Sequence, residues 1–160
     1  MGNVSMHAQQ QYKWVKQSRA VLFAYCDTIS PEDFVNGNSS FGRGGSIRNL
    51  LVHIANTYEF WVMHIALKQE VNFTPYTSIT QMTEVRTLFA GIDNQVDVFM
   101  ASIPFAENDS IAFEIKGEAK STTAFELFTH VITHEFHHKG QLLSLSRHLG
   151  YVPVDTDILR

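Results

Sequence analysis

The sequence predicts an all-α protein, a four-helix bundle with a short β-hairpin inserted before the last long helix. Three observations carry this. Apolar residues recur at helical spacing over four long segments. Helix breakers fall between the segments, at Ser30-Pro31, the glycine-rich stretch 36–45, Pro104 and Gly150. Ile111, Phe113 and Ile115 alternate with other residues ahead of Lys116-Gly117, the pattern of a strand entering a turn. At 160 residues the chain, 1–160, fits one compact domain able to bury a core without disulfides or structural staples.

The first helix is expected from about Met6 to Asp27, with Trp14, Val15, Val21, Leu22 and Tyr25 facing inward. It stops before Ser30-Pro31, where proline disfavours helix at the preceding residue. Asn36 to Gly45 reads as a loop. The second helix is expected to start near Ser46, as N-cap, and to run to about Gln69. Its Ile47, Leu50, Ile54, Trp61 and Ile65 form one apolar stripe. The third helix, from around Thr80 to before Pro104, turns Val85, Leu88, Phe89, Ile92, Val96 and Phe99 inward. Thr123-Ala-Phe-Glu126 matches a capping box and opens the fourth helix, which Gly150 and Pro153 close. The tail beyond Gly150, with Asp155 and Asp157, reads as a short docked extension.

Composition narrows the function. Twelve basic against sixteen acidic residues give a formal charge of −4 with no basic block, which argues against a nucleic-acid partner. No run reaches the roughly eighteen apolar residues of a membrane span, and the first twenty residues lack a signal-peptide core. The single cysteine, Cys26, fits a reducing compartment and reads as a small core residue without catalytic role. A soluble cytoplasmic protein is expected.

The histidines supply the chemistry. On a helical wheel, Leu127, Val131, His134, His138, Leu142, Leu145 and Leu149 share an arc of about 80°. Two imidazoles four residues apart therefore sit within an apolar stripe, adjacent and able to reach one ion. His53 lies on the inward side of the second helix, with Leu50, Thr57, Trp61 and His64. If the second and fourth helices face each other, His53 approaches the His134/His138 pair. The competing reading is a set of hydrogen-bonded core histidines.

The remaining candidates are weaker. His130 and His137 flank the inward face, as neighbours of a ligand or as solvated side chains. His64 is roughly 16 Å along the axis from His53, too far to share an ion. His7 and His148 read as surface residues. Glu135 invites a zinc-protease His-Glu-x-x-His reading, but the second histidine, His138, falls one residue late.

The stretch His134-Glu-Phe-His-His138-Lys-Gly-Gln141 resembles the signature of the DinB/YfiT-like superfamily, in which two histidines four apart precede a basic residue, Gly and Gln. Asn49-Leu-Leu-Val-His53-Ile-Ala, followed by Glu59-Phe-Trp61, resembles the same family's second-helix motif, which carries a third histidine. Helix order and the glycine-rich loop also match. Lys139 stands where arginine is more usual.

The resemblance implies an up-down-down-up bundle with His53, His134 and His138 as metal ligands, and it implies a homodimer. Zinc or nickel is the ion expected first, with iron or cobalt as alternatives. Characterised relatives include metal-dependent thiol transferases that use mycothiol, bacillithiol or related thiols.

Three protein ligands leave a position for water or a thiolate, whose pKa a divalent ion lowers. The expected function is therefore activation of a low-molecular-weight thiol for transfer to a small electrophile. A metal-dependent hydrolase using activated water and a non-catalytic metal-binding protein are the alternatives. No catalytic side chain beyond the ligands is identified. Arg43 and Arg48 are the candidates for an anion clamp on the thiol. Gln141 either orients a ligand or bonds a neighbouring helix, the second being favoured. Phe125, Ile132, Phe136 and Leu143 form a second apolar stripe on the fourth helix, either packed within the same chain or a dimer surface.

Overall fold

The computed structural model of the chain describes residues 2–39, 45–103, 105 and 109–160. It is mostly helical, with one two-stranded antiparallel hairpin before the last helix. The helices are α1 (Gly2–Cys26), α2 (Pro31–Val35), α3 (Ile47–Tyr58), α4 (Met82–Ser102) and α5 (Ala124–His148). A π-helical segment, Glu59–Ala66, continues α3, and a 3-10 turn spans Tyr76–Ser78. The four longer helices pack in a closed set of pairs: α1 against α4 and α5, and α3 against the same two.

Each boundary has a local cause. Ser46 and Thr123 cap α3 and α5, their hydroxyls accepting from the backbone N–H of Asn49 and Glu126. A reciprocal capping box, Gln81 with Glu84, opens α4, one residue later than Thr80 suggested. Gly150 at φ +95° closes α5 in the left-handed conformation that glycine adopts without steric penalty. In the hairpin, β1 (Ile111–Ile115) pairs with β2 (Glu118–Thr122), Ile115 opposite Glu118. Lys116 and Gly117 both take positive φ, as a two-residue type I′ turn requires.

Three features were not read in the sequence. The short α2 was missed, although Ser30 as N-cap, proline at the first helical position and Glu32-Asp33 in the first turn all signal it. The second half of the long second helix is π-helical, a wider winding that apolar spacing does not distinguish from α. Trp14, expected inward, is 41% exposed, because Tyr12, Val15, Arg19 and Leu22 occupy the buried face of α1 instead. Trp14 lies beside Val15, Ile132, Phe136 and Ile158 in a shallow groove between α1, α5 and the tail.

The tail docks as expected. The Tyr151 hydroxyl donates to Asp33 at 2.7 Å, and Ser18 donates to the carbonyl of Thr156, a buried residue. The core is built from inward positions of all four longer helices, among them Leu22, Leu50, Ile54, Val85, Phe99, Phe128 and Leu142.

Candidate metal centre

The α3–α5 contact brings His53, His134 and His138 together. Each offers a ring nitrogen, and these atoms all lie within 4.8 Å of one another. Ring centroids are 4.4 Å apart for His134–His138, 4.6 Å for His53–His138 and 5.1 Å for His53–His134. Ser46 and buried Ile47, Leu50, Leu51 and Ile54 fix α3, so the position of His53 follows from the packing of its own helix. His134 and His138 stand one above the other on α5 because residues four apart share a helix face.

Hydrogen bonding around the trio is that of a donor set turned toward a cation. His138 Nδ1 donates to Gln141 Oε1 at 2.7 Å, which leaves the lone pair of the neutral ring on Nε2. That Nε2 lies 3.1 Å from His134 Nε2. His134 Nδ1 is buried with no hydrogen-bond partner among the described residues. Burial, followed by His138, His53, His130 and His137, holds the His134 imidazole down at about 3, so it stays neutral and keeps a lone pair at ordinary pH. Imidazoles packed nitrogen to nitrogen fit a divalent ion better than they fit one another.

Gln141 thus corrects the favoured reading: it bonds along its own helix, to His138 and, through Nε2, to His137 at 3.1 Å. His130 stands at the edge, its ring 5.8 Å from His134 and 5.1 Å from Trp61. Trp61 also meets Phe113 of β1 at 5.2 Å, so the π-helical segment, the hairpin and α5 share an aromatic wall beside the trio. His64 is apart from the trio, near the Gln69 carbonyl and the Phe60 ring. His7 is exposed, and His148 is exposed beside the Ser144 carbonyl. Arg48 donates to Asn49 at 3.0 Å, and Arg43 lies outside the described residues. Cys26 is buried, which pushes its thiol up to about 12 and removes it as a nucleophile.

Sequence reasoning missed the charge cluster directly behind the trio. Glu135 is fully buried and accepts from Arg19 Nε (3.0 Å), Arg19 Nη2 (2.8 Å) and the Tyr58 hydroxyl (2.7 Å), with Lys139 Nζ at 3.2 Å. Arg19 also reaches Asp93, as does the Tyr12 hydroxyl, both at 2.6 Å. Lys139, only 1% exposed, donates to Ser18 at 2.9 Å. Burial would raise the Glu135 carboxyl; the charges of Arg19 and Lys139 and the hydrogen bonds of Arg19 and Tyr58 outweigh it, holding the group at about 2. The available signal was Arg19 in phase with Tyr12, Val15 and Leu22, a charge within an apolar stripe.

Two comparisons bear on the chain as a whole. The family model described as DinB family matches residues 1–160. The uncharacterized protein YizA of Bacillus subtilis (strain 168) is 26% identical over 158 residues, covering 93% of this chain and 91% of that protein.

Proposed function

This chain belongs to the DinB family, and on that footing we propose a metal-dependent enzyme that activates a low-molecular-weight thiol for transfer to a small electrophile. The single observation that carries the reading is the trio of His53, His134 and His138, with donor atoms within 4.8 Å. We assign these three as ligands of one divalent ion, zinc or nickel first, iron or cobalt as alternatives. Such an ion supplies a Lewis acid that lowers the pKa of a thiol or water bound to it.

The chain's own residues hold that site ready. Gln141 orients the His138 ring through Nδ1. Burial keeps His134 neutral, so no proton must leave before it can donate its lone pair. Trp61, Phe113 and His130 give one flank an aromatic surface suited to the apolar part of an electrophile. We read the whole chain as one domain, an up-down-down-up four-helix bundle.

The test is turnover of an activated electrophile by zinc- or nickel-loaded protein, with and without added thiol. Thiol-dependent product lost in His138→Ala supports the reading. Ester hydrolysis without thiol would point to a hydrolase, and metal binding without either activity to a silent binding protein.

A homodimer is part of the same proposal. Phe125 is exposed, Leu143 is only partly covered, and the partly covered Ile132 and Phe136 lie next to exposed Trp14. Sedimentation at micromolar concentration is expected to show a dimer that Trp14→Glu weakens; monomer alone would contradict it. Among the described residues, no helix is long and apolar enough to cross a membrane. A cytoplasmic location remains part of the proposal.

A further inference from the structure

We propose that the buried cluster around Glu135 is a positioning device that sets the register between the helix bearing His53 and the helix bearing His134 and His138, and so tunes metal affinity. The inference rests on the reading of those histidines as ligands.

The sequence places the cluster in step with the ligands. Glu135 follows His134 directly, and Lys139 follows His138 directly, so each of the two candidate ligands on α5 shares a peptide bond with a buried charge. Tyr58 lies five residues beyond His53 on α3, roughly 7.5 Å along the axis. Its hydroxyl donates to Glu135 Oε2 at 2.7 Å, a bond that joins the two ligand-bearing helices. Arg19 holds both carboxylate oxygens from α1 in a bidentate fork, and its Nη1 ties the assembly to Asp93 of α4. α1 and α3 therefore meet α5 at one carboxylate, and α4 joins them through Arg19.

Stability alone is a poor account of such a cluster, because apolar residues of equal volume commonly do as well or better in a core. Directionality is what hydrogen bonds add. An apolar contact between α3 and α5 tolerates a slide of a fraction of an ångström. Three hydrogen bonds of fixed length from α1 and α3 converging on Glu135 do not, and a metal constellation needs placement to about 0.5 Å. The best-attested use of buried polar groups is setting register.

Tyr58→Phe isolates the effect. It keeps the ring, which packs edge-on to Tyr12 at 6.3 Å, and leaves Arg19 and Lys139 on Glu135. The control is Ser146→Ala, which removes the Tyr25–Ser146 bond of 2.8 Å between α1 and α5, two turns beyond His138. Metal-stripped wild type and both variants would be titrated with zinc by calorimetry and with cobalt by visible absorption, with thermal melting alongside.

The expected result is a zinc dissociation constant raised about tenfold in Tyr58→Phe with an altered cobalt spectrum, and neither change in Ser146→Ala. Wild-type affinity and spectrum in Tyr58→Phe would overturn the inference while leaving the ligand assignment standing. Equal weakening in Ser146→Ala would also overturn it, since the effect would then be general loosening. A wild-type protein that binds neither ion would remove the ligand assignment and the inference together.

Discussion

Glu135→Ala is expected to destabilise the fold by about 3–5 kcal/mol, because it strands Arg19 and Lys139 as buried charges without their shared counter-ion. Against a total of about 5–15 kcal/mol for an ordinary domain, that is a large share. Urea unfolding at neutral pH measures it directly, and a loss under about 1 kcal/mol would place the cluster outside the cooperative core. A triple variant, Arg19→Met with Glu135→Leu and Lys139→Met, is expected to recover most of the loss, since no buried charge is then left unpaired.

The same group sets an acid limit. The Glu135 carboxyl is held at about 2 instead of the ordinary 4.5. A folded-state value below the unfolded one contributes stability fully present above about pH 4.5 and lost as pH falls toward 2. The size is about 3 kcal/mol. Glu135→Gln removes this part of the acid transition, so its stability should change less between pH 5 and pH 3 than that of the wild type.

The second large effect is linkage to metal. Zinc or nickel at about a thousand times its dissociation constant is expected to stabilise the wild type by about 4 kcal/mol, because the ion binds the folded trio and not the separated histidines of the unfolded chain. His138→Ala removes one of the three donors together with the Gln141 contact that orients it. Its affinity should fall by more than the roughly 10- to 100-fold that losing an outer partner alone costs. Melting with and without added ion reads both: a large metal-dependent rise in the wild type and almost none in the variant. An equal rise in both would place the ion elsewhere.

Much of this was legible in the sequence, for reasons that differ by element. The α5 boundaries followed from Thr123 and Gly150, whose effects are local, and the hairpin turn followed from Lys116-Gly117. The proximity of His134 and His138 needed only helical periodicity. That of His53 needed a guess about which helices face each other, which a pattern along one chain does not specify.

Where reading failed, the cause was competition among neighbours. Hydrophobicity alone favours Trp14 inward, yet the buried face of α1 belongs to Tyr12 and Arg19, whose polar atoms find partners across the core, on Asp93 and Glu135. Glu135 was weighed only as part of a protease motif. Lys139 lies one turn away, but the partners that bury the carboxylate across the core, Arg19 and Tyr58, lie 116 and 77 positions away, beyond any local signal. The π-helical winding after Tyr58 likewise leaves no mark on apolar spacing.

The central claim is that His53, His134 and His138 hold one divalent ion. Its most direct test is metal content by elemental mass spectrometry on untagged protein, wild type beside His134→Ala. The account predicts near-stoichiometric zinc, nickel or a related ion in the wild type and its loss in the variant. Wild-type protein that carries no metal and takes up neither zinc nor nickel when supplied would contradict it, and the three histidines would then be core residues bonded to one another.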